Sequence, residues 1–283
     1  STLSPSSAAS DVYKRQTINS KSLDINSTMT NRANSFVQES SAGLAALAYG
    51  ITQNEVKNNA INDISFENGA NISSHTLNAT ADSDSQSYMH RTSTSKGMII
   101  VKGGRIENNM KGTSQIDING GKINTTGNME FNVKNNASTP QEMVFTDDSS
   151  GFIAKSGAVL SNTLSQSAKL NVNGGNVTAG GDLVLSVDNG TNFSQRAYSN
   201  ASGFTAHNNA SSEVIAAINN EINLNGGTLQ GKNVMVNMNS SNTLSSKAEA
   251  EAHHFAGDPS VWSKVKLCLL YTSPSPRDIS GSR

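Results

Sequence analysis

The chain has 283 residues, of which 35% are hydrophobic, 5% aromatic and 15% charged, and its formal net charge at pH 7 is -1. A charge so close to zero argues against a nucleic-acid-binding footprint or a polybasic membrane patch, and no apolar run approaches the roughly 18 residues of a membrane span. Because aromatic residues are scarce, the composition favours either a narrow core of many thin layers or a disordered, low-complexity chain over a thick globular core.

Residues 1–16 at the start of the chain share no pattern with the rest of the sequence, and they resemble a translated sequencing adapter. Residues 267–283, which include the only cysteine, Cys268, resemble the matching adapter read from the other side. We therefore predict that both ends are disordered scars and exclude them from the fold. The repeat array is predicted to occupy residues 17–266, as an internal fragment of something longer.

Inside the array, a short phrase centred on Asn-Gly recurs at a nearly fixed interval as ISFENGANI, IDINGGKI, LNVNGGNV and INLNGGTL. Glycine reaches positive φ without a steric clash, so each copy predicts a tight turn. If the turns stack, their asparagines can hydrogen-bond from layer to layer. The predicted turn residues are Asn68, Gly69, Asn119, Gly120, Gly121, Asn173, Gly174, Gly175, Asn225, Gly226 and Gly227.

A second glycine marker keeps nearly the same period as the Asn-Gly phrase. Two independent markers that share one period indicate an array of stacked units. The residues of this marker are Gly43, Gly97, Gly151, Gly203 and Gly257.

Apolar and polar residues alternate on both sides of each Asn-Gly turn, which is typical of strands with one buried face. The apolar positions are Ile116, Ile118, Leu170, Val172, Ile222 and Leu224 before the turns, Ile72, Ile123, Val177 and Leu229 directly after them, and then Met129, Phe131, Val133, Leu183, Leu185, Val187, Val234, Val236 and Met238.

The stretches between the two glycine markers, such as residues 97–120 and 120–151, each match one coil of a parallel β-helix in length. A plain hairpin is the other interpretation of strand–Asn-Gly–strand, but it does not explain the second marker. The sequence therefore predicts an all-β parallel β-helix, or solenoid, with about two coils per ~53-residue repeat. Residues 42–50 and 247–254 are rich in helix formers, but their places in the repeat predict strand and turn.

No catalytic, cofactor or metal site is predicted. Adjacent histidines on a strand point to opposite faces, and the acidic pairs are more often solvated than calcium-binding. No column of acids with a nearby Arg or Lys suits glycoside chemistry. These histidines and acidic pairs are His253, His254, Asp82, Asp84, Asp147 and Asp148.

Repeats of the form apolar-x-apolar-Asn-Gly-Gly-x-apolar, followed by polar alternating strands and SSGF, resemble filamentous-haemagglutinin-like large exoproteins, and leukotoxin-type filamentous adhesins most closely. The resemblance extends over about residues 18–257. It implies a right-handed parallel β-helix, secretion through an outer-membrane partner pore, and display at the surface of a double-membraned bacterium. It supplies no catalytic residues, and no nucleic acid or membrane insertion is expected.

Two functional hypotheses follow from these patterns. The favoured one is a non-enzymatic spacer or stalk of a secreted adhesin, which presents adhesive regions whose receptor the sequence does not reveal. The alternative is a β-helix carbohydrate-active enzyme or a phage tailspike-like protein. The alternative requires a groove with clustered acidic, basic and aromatic residues, which the low aromatic content disfavours.

Overall fold

The computed structural model describes residues 2–3, 6–13 and 17–272. The described chain is all-β, and among these residues no helix is long and apolar enough to cross a membrane. Its strands are β1 Thr2–Leu3, β2 Ser6–Tyr13, β3 Thr17–Phe66, β4 Asn71–Ile118, β5 Lys122–Thr125, β6 Met129–Ser138, β7 Met143–Ser150, β8 Ile153–Val172, β9 Asn176–Ala179, β10 Leu183–Leu224, β11 Thr228–Gln230, β12 Val234–Ala256 and β13 Pro259–Thr272.

The alternating pattern produces half-buried strands, as the sequence predicts. In β6, Met129, Phe131 and Val133 are buried while Glu130 and Lys134 are exposed. The two segments with helix-forming composition are also extended, because residues 42–50 lie in β3 and residues 247–254 lie in β12. Pairing with neighbouring strands therefore overrides their local helical preference.

The strands form one large parallel sheet in which partners are one repeat apart. Every strand pair in the described part of the chain is parallel, and register partners lie about one repeat apart along the chain. Leu183, for example, lies between Met129 of the preceding repeat and Val234 of the following one. The expectation that residues one full repeat apart become neighbours is confirmed.

Each repeat forms one layer, so the prediction of two coils per repeat is wrong. We divide each layer into a first arm, a second arm and a short strand. In residues 129–179 the first arm is β6 with β7, the second is β8 and the short strand is β9. The two arms face each other, since Ser156 Oγ on the second donates to the backbone oxygen of Asp147 on the first at 2.9 Å. Each stretch between two successive glycine markers contains one arm. Within the described residues, an arm forms strand pairs with the arms of adjacent layers and not with the other arm of its own layer.

The apolar core runs through the layers beside the short strands. Its side chains form continuous columns, such as Ile72–Ile123–Val177–Leu229, in which each member lies over the next. The Phe66 and Phe131 rings meet edge to face at a centroid distance of 5.9 Å. Since each layer adds only a few apolar side chains, a low hydrophobic content is sufficient for this core.

Farther along the arms, the interior is largely polar. A second apolar cluster around Met89 and Phe145 is flanked by buried amides and hydroxyls that bond across the layer. Asn135 Nδ2 donates to Gln166 Oε1 at 3.0 Å, and Gln195 Nε2 donates to Ser212 Oγ at 2.8 Å. Because buried polar groups are costly unless they are paired, these bonds offset part of the cost of such an interior. Other buried polar atoms, such as Asn135 Oδ1 and Gln166 Nε2, have no hydrogen-bond partner among the described residues.

The predicted ends of the array do not coincide with the ends of the sheet. Strand β2 continues the parallel register against β3, and β13 extends to Thr272 against β10. Residues 2–3, 6–13 and 267–272 are therefore in strands, which corrects the disorder predicted for them. The other residues of the two predicted scars, 1, 4–5, 14–16 and 273–283, lie outside the described residues. The adapter origin of the two ends stays a prediction.

Candidate functional site

The Asn-Gly turns form one edge of the layers, and the glycine with positive φ is the second of each Gly-Gly pair. Gly69, Gly121, Gly175 and Gly227 have φ between 88° and 94°. Gly69, which follows Asn68 and has no glycine beside it, therefore corresponds to Gly121 and not to Gly120. An alignment of the four phrases by their first glycine puts the first copy out of register by one residue. These four turn glycines are spaced more evenly along the chain than the first glycines of the phrase.

The first glycines of the pairs allow close approach between layers. A Cβ on Gly120 would lie 3.0 Å from the Asn68 Cα atom. A Cβ on Gly174 would lie 3.2 Å from the backbone oxygen of Asn119, and the same contact for Gly226 with Asn173 would be 3.0 Å. These spaces are too tight for most side chains to enter without displacement of the backbone.

The turn asparagines form the interlayer ladder that the repeat predicts. Asn173 Nδ2 donates to Asn119 Oδ1 at 2.9 Å, and Asn225 Nδ2 donates to Asn173 Oδ1 at 2.9 Å. The position below Asn119 is occupied by Glu67, whose Oε1 accepts from Asn119 Nδ2 at 3.1 Å. The sequence phrase predicts that Asn68 belongs to this ladder, but the shift of one residue puts Glu67 in its place.

The second glycine marker forms the opposite edge, where the first arm turns into the second. Gly43 and Gly97 are register partners, and Gly151 and Gly203 follow in the next layers. Gly257 does not continue this stack, because His254 is the register partner of Gly203 and Gly257 lies against the backbone of Ala206. The register between these last two layers therefore departs from the spacing of the glycines.

Beside these glycines lies an exposed apolar column that glycine spacing alone does not reveal. We call Met98, Phe152, Phe204 and Phe255 the aromatic stripe. Their exposed fractions are 58%, 58%, 52% and 84%. The rings of Phe152 and Phe204 stack at 5.2 Å with 3° between planes, and those of Phe204 and Phe255 at 5.4 Å with 13°. In the sequence, the aromatic stripe is indicated by the tripeptide Ser-Gly-Phe, which recurs at residues 150–152 and 202–204.

A cavity of about 420 Å³ opens at the Met98 end of the aromatic stripe. Ala42 and Gly43 form its wall in one layer, Gly97 and Met98 in the next, and Phe152 in the layer after that. Lys96 stands at its rim and is exposed. The cavity is therefore an apolar recess with one cationic side chain beside it.

A buried charge cluster lies inside the layers near the same edge. Arg91 is 1% exposed, and its Nη2 lies 3.1 Å from Glu39 Oε2. Lys102 Nζ is 3.6 Å from the same oxygen, and the Arg91 guanidinium also lies 4.8 Å from the Phe145 ring centre. A Cβ on Gly104 would be 2.6 Å from Arg91 Cζ, so Gly104 makes room for this cation.

Asp147 also lies in this interior, which corrects its interpretation as a solvated loop acid. It is part of β7 and is fully buried. Its Oδ2 accepts from Ser156 Oγ and from the Gly157 backbone N–H, each at 2.9 Å. Neighbouring residues of a strand point to opposite faces, so Asp148 is on the outside and the two carboxylates do not chelate one ion.

Four residues before the aromatic stripe in their respective layers, Asp148 and Glu251 belong to one outer column with Asn200 between them. The Tyr198 hydroxyl donates to Glu251 Oε2 at 2.9 Å. Partial burial, together with this hydrogen bond, raises the pKa of Tyr198 to about 12. Burial likewise raises the pKa of Asp148.

The remaining candidate ligands stay apart. Asp82 and Asp84 lie on the outer face of the first arm, where Asp84 accepts from Gln86 Nε2 at 3.0 Å. His253 and His254 are exposed, and His253 Nε2 lies 3.9 Å from Glu251 Oε2. Within the described ranges, no three His, Cys, Asp or Glu side chains are grouped to hold a metal ion.

Comparisons of the chain with protein-family models, curated proteins and solved structures find no match.

Proposed function

We propose that the chain is a structural spacer, or stalk, of a secreted bacterial filamentous adhesin. One observation carries this proposal: every described strand pairs in parallel with the equivalent strand of the adjacent repeat. Such a stack presents a similar surface on every layer and can be lengthened by adding repeats. A molecule built in this way separates two points in space without needing a catalytic centre.

We further propose that the layers wind as a right-handed parallel β-helix, with one turn per repeat. The two arms and the short strand of each layer surround the core columns such as Ile72–Ile123–Val177. Parallel strands joined by a crossover take the right-handed path in about 98% of cases, and this preference supports the right hand.

Export to the cell surface of a double-membraned bacterium, through an outer-membrane pore, fits the way this fold is stabilised. Cys268 is the only cysteine, so the chain needs no disulfide to fold. Its pairing partners lie one layer apart along the chain. A chain that emerges from a pore could therefore fold layer by layer, each new layer pairing with the one already formed.

A surface-display experiment tests the spacer function. The chain is placed between an outer-membrane anchor and a fluorescent domain, and energy transfer to a membrane dye reports the distance. A second copy of residues 129–182, which is one full layer, should lengthen the rod by about 4.8 Å. Two further copies should add proportionally more.

The expected result is an increase in distance with each added layer and no cleavage of bacterial or plant polysaccharides by the purified chain. A distance that does not grow with the number of layers would contradict the spacer. Depolymerisation of a polysaccharide would instead support a β-helix carbohydrate-active enzyme or a tailspike-like protein.

A further inference from the structure

Asparagine precedes glycine at five places in the chain, and this dipeptide has a reaction of its own. The glycine nitrogen has no Cβ beside it, so it approaches the amide carbon of the preceding asparagine with little steric hindrance. The folded structure holds the five asparagines in different ways, and this difference determines which of them reacts. They are Asn68, Asn119, Asn173, Asn189 and Asn225.

The reaction is a deamidation that needs only water. The glycine N–H loses its proton to solvent base, and its nitrogen attacks the asparagine Cγ. A bond between this nitrogen and Cγ forms, the Cγ–Nδ2 bond breaks, and ammonia leaves behind a succinimide ring. Water then opens the ring at either carbonyl, which gives aspartate or isoaspartate. Hydrogen bonds on the glycine N–H or on the asparagine amide oppose the first step, because they must break before the two groups meet.

Exposure to solvent does not distinguish the four turn asparagines, since all of them are exposed. Their hydrogen bonds do. Asn173 is held at both ends of its amide, because its Nδ2 donates to Asn119 Oδ1 and its Oδ1 accepts from Asn225 Nδ2, each at 2.9 Å. The following N–H, that of Gly174, donates to the backbone oxygen of Ile118 at 3.3 Å. The N–H after Asn225 is held in the same way, at 3.2 Å.

Asn189 is restrained by burial instead. Its side chain is 0% exposed, and Nδ2 donates to the backbone oxygen of Asn219 at 3.5 Å. Gly190 continues the strand β10 and has register partners on both sides, Asn136 and Ser241. The extended, paired backbone therefore keeps the Gly190 nitrogen away from the Asn189 amide.

Asn68 has none of these restraints. Because the first copy of the phrase is out of register by one residue, Glu67 occupies the ladder position and Asn68 lies beside it. Among the described residues, neither the Asn68 amide nor the Gly69 N–H has a hydrogen-bond partner. The Ala70 N–H donates to the Glu67 backbone oxygen at 3.1 Å, which closes the turn and leaves both reacting groups at its exposed tip.

We infer that Asn68 is a site of spontaneous deamidation in the folded chain, and that the asparagine ladder protects Asn119, Asn173 and Asn225 from the same reaction. The product places an additional negative charge next to Glu67, and isoaspartate also lengthens the backbone of this turn by a methylene group. The site does not depend on the proposed spacer function, because the reaction needs only the turn and water.

Incubation of the full chain at mildly alkaline pH in water enriched in heavy oxygen tests the site. Digestion in ordinary water and mass spectrometry then locate each deamidated residue, and the heavy oxygen marks the events that occurred before digestion. Asn68 should react at least about tenfold faster than Asn173, because several hydrogen bonds must break before Asn173 reacts. The urea-unfolded chain is the matched control, and there all five asparagines should react at similar rates, since glycine follows each of them.

An Asn173→Ala variant tests the protection by the ladder. Asn225 Nδ2 loses its acceptor in this variant, so Asn225 should deamidate faster than in the wild-type chain, while a slow reaction at Asn189 verifies that the fold is kept. The inference is overturned if Asn68 in the folded wild-type chain reacts no faster than Asn173, or if folding slows Asn68 as much as it slows Asn173. An unchanged rate at Asn225 in the variant would overturn the protective role of the ladder.

Discussion

At the scale of single residues, glycine determines how closely the layers approach each other. Gly175 has φ of +89°, and its missing side chain leaves room for the backbone of Gly120 and Gly121 in the preceding layer. Gly104 has a different role, because its missing side chain makes room for the guanidinium of Arg91. Glycines that look alike in the sequence are thus required for different physical reasons.

Replacing Gly175 by alanine should lower the thermal midpoint strongly. The new Cβ would lie 2.8 Å from the Gly120 carbonyl carbon, and the positive φ disfavours any L side chain. We expect a loss of about 1–3 kcal/mol in stability, measured by thermal melting followed by circular dichroism.

Gly157→Ala is the control for this substitution. Its Cβ would meet nothing closer than the Gly103 Cα at 3.7 Å, which is an ordinary contact. Its melting curve should match that of the wild-type chain. Equal losses in both alanine variants would mean that the turn geometry is not what makes Gly175 necessary.

At the scale of elements, an arm is a strand whose inner face changes character along its length. In the layer of residues 129–179, Met129 to Val133 contribute to the apolar core, whereas Asn135 and Asp147 on the same inner face are polar and hydrogen-bonded. Exposed phenylalanine in this layer occurs where the first arm turns into the second. The same residue type therefore has opposite roles at the two ends of one arm.

Two phenylalanine truncations should show this difference. Phe131 is fully buried between Ala79 and Leu185 of the adjacent layers and contacts Phe66. Phe131→Ala should therefore cost about 3–5 kcal/mol of folding stability, as other buried phenylalanine truncations do.

Phe152→Ala removes the same atoms from an exposed site and should cost less than about 1 kcal/mol. Chemical denaturation of dilute samples provides both values. A Phe152→Ala loss as large as that of Phe131→Ala would contradict the outward position of the aromatic stripe.

At the scale of the whole molecule, the decisive feature is that one repeat equals one layer. Lys122 and Asn176 are register partners in β5 and β9, and both side chains are exposed. Adjacent parallel strands lie about 4.8 Å apart, which is within the Cα separation that a disulfide tolerates.

Cysteines at these two positions should therefore form a disulfide on mild oxidation. The experiment uses a Cys268→Ser background with Lys122→Cys and Asn176→Cys, and the crosslink is detected by mass spectrometry. Lys122→Cys with Ser150→Cys is the comparison, because two coils per repeat would place residue 150 beside residue 122. Efficient crosslinking of the 122–150 pair in place of 122–176 would restore the two-coil arrangement.

Sequence periodicity was sufficient to predict the strands and to predict which residues become neighbours in the stack. The column Ile72–Ile123–Val177–Leu229 follows directly from spacing, because residues in equivalent places of a repeat occupy equivalent places in a stack. Spacing was insufficient where the repeat gains or loses a residue. Gly69 and Asn68 were assigned to the wrong places in the turn, and Gly257 was assigned to a stack that His254 occupies.

The aromatic stripe and the buried position of Asp147 were harder to predict from the sequence than the strands. Phe152 and Phe204 follow the glycine marker in equal positions, but composition does not tell whether a phenylalanine points inward or outward at a turn. Asp147 and Asp148 look equivalent in the sequence, yet only one is buried. Such assignments depend on which side of the backbone faces the other arm of the layer.

The sequence by itself determined that this chain is built of extended strands in repeats of nearly fixed length, because the alternation of apolar residues and the spacing of glycines are local properties. Only the tertiary structure decided how many layers a repeat makes, since nothing local distinguishes two short coils from two arms that face each other. It also decided the buried positions of Arg91 and Asp147 and the exposed position of the aromatic stripe. Burial depends on contacts between residues that are distant in the chain, and neither composition nor periodicity specifies those contacts.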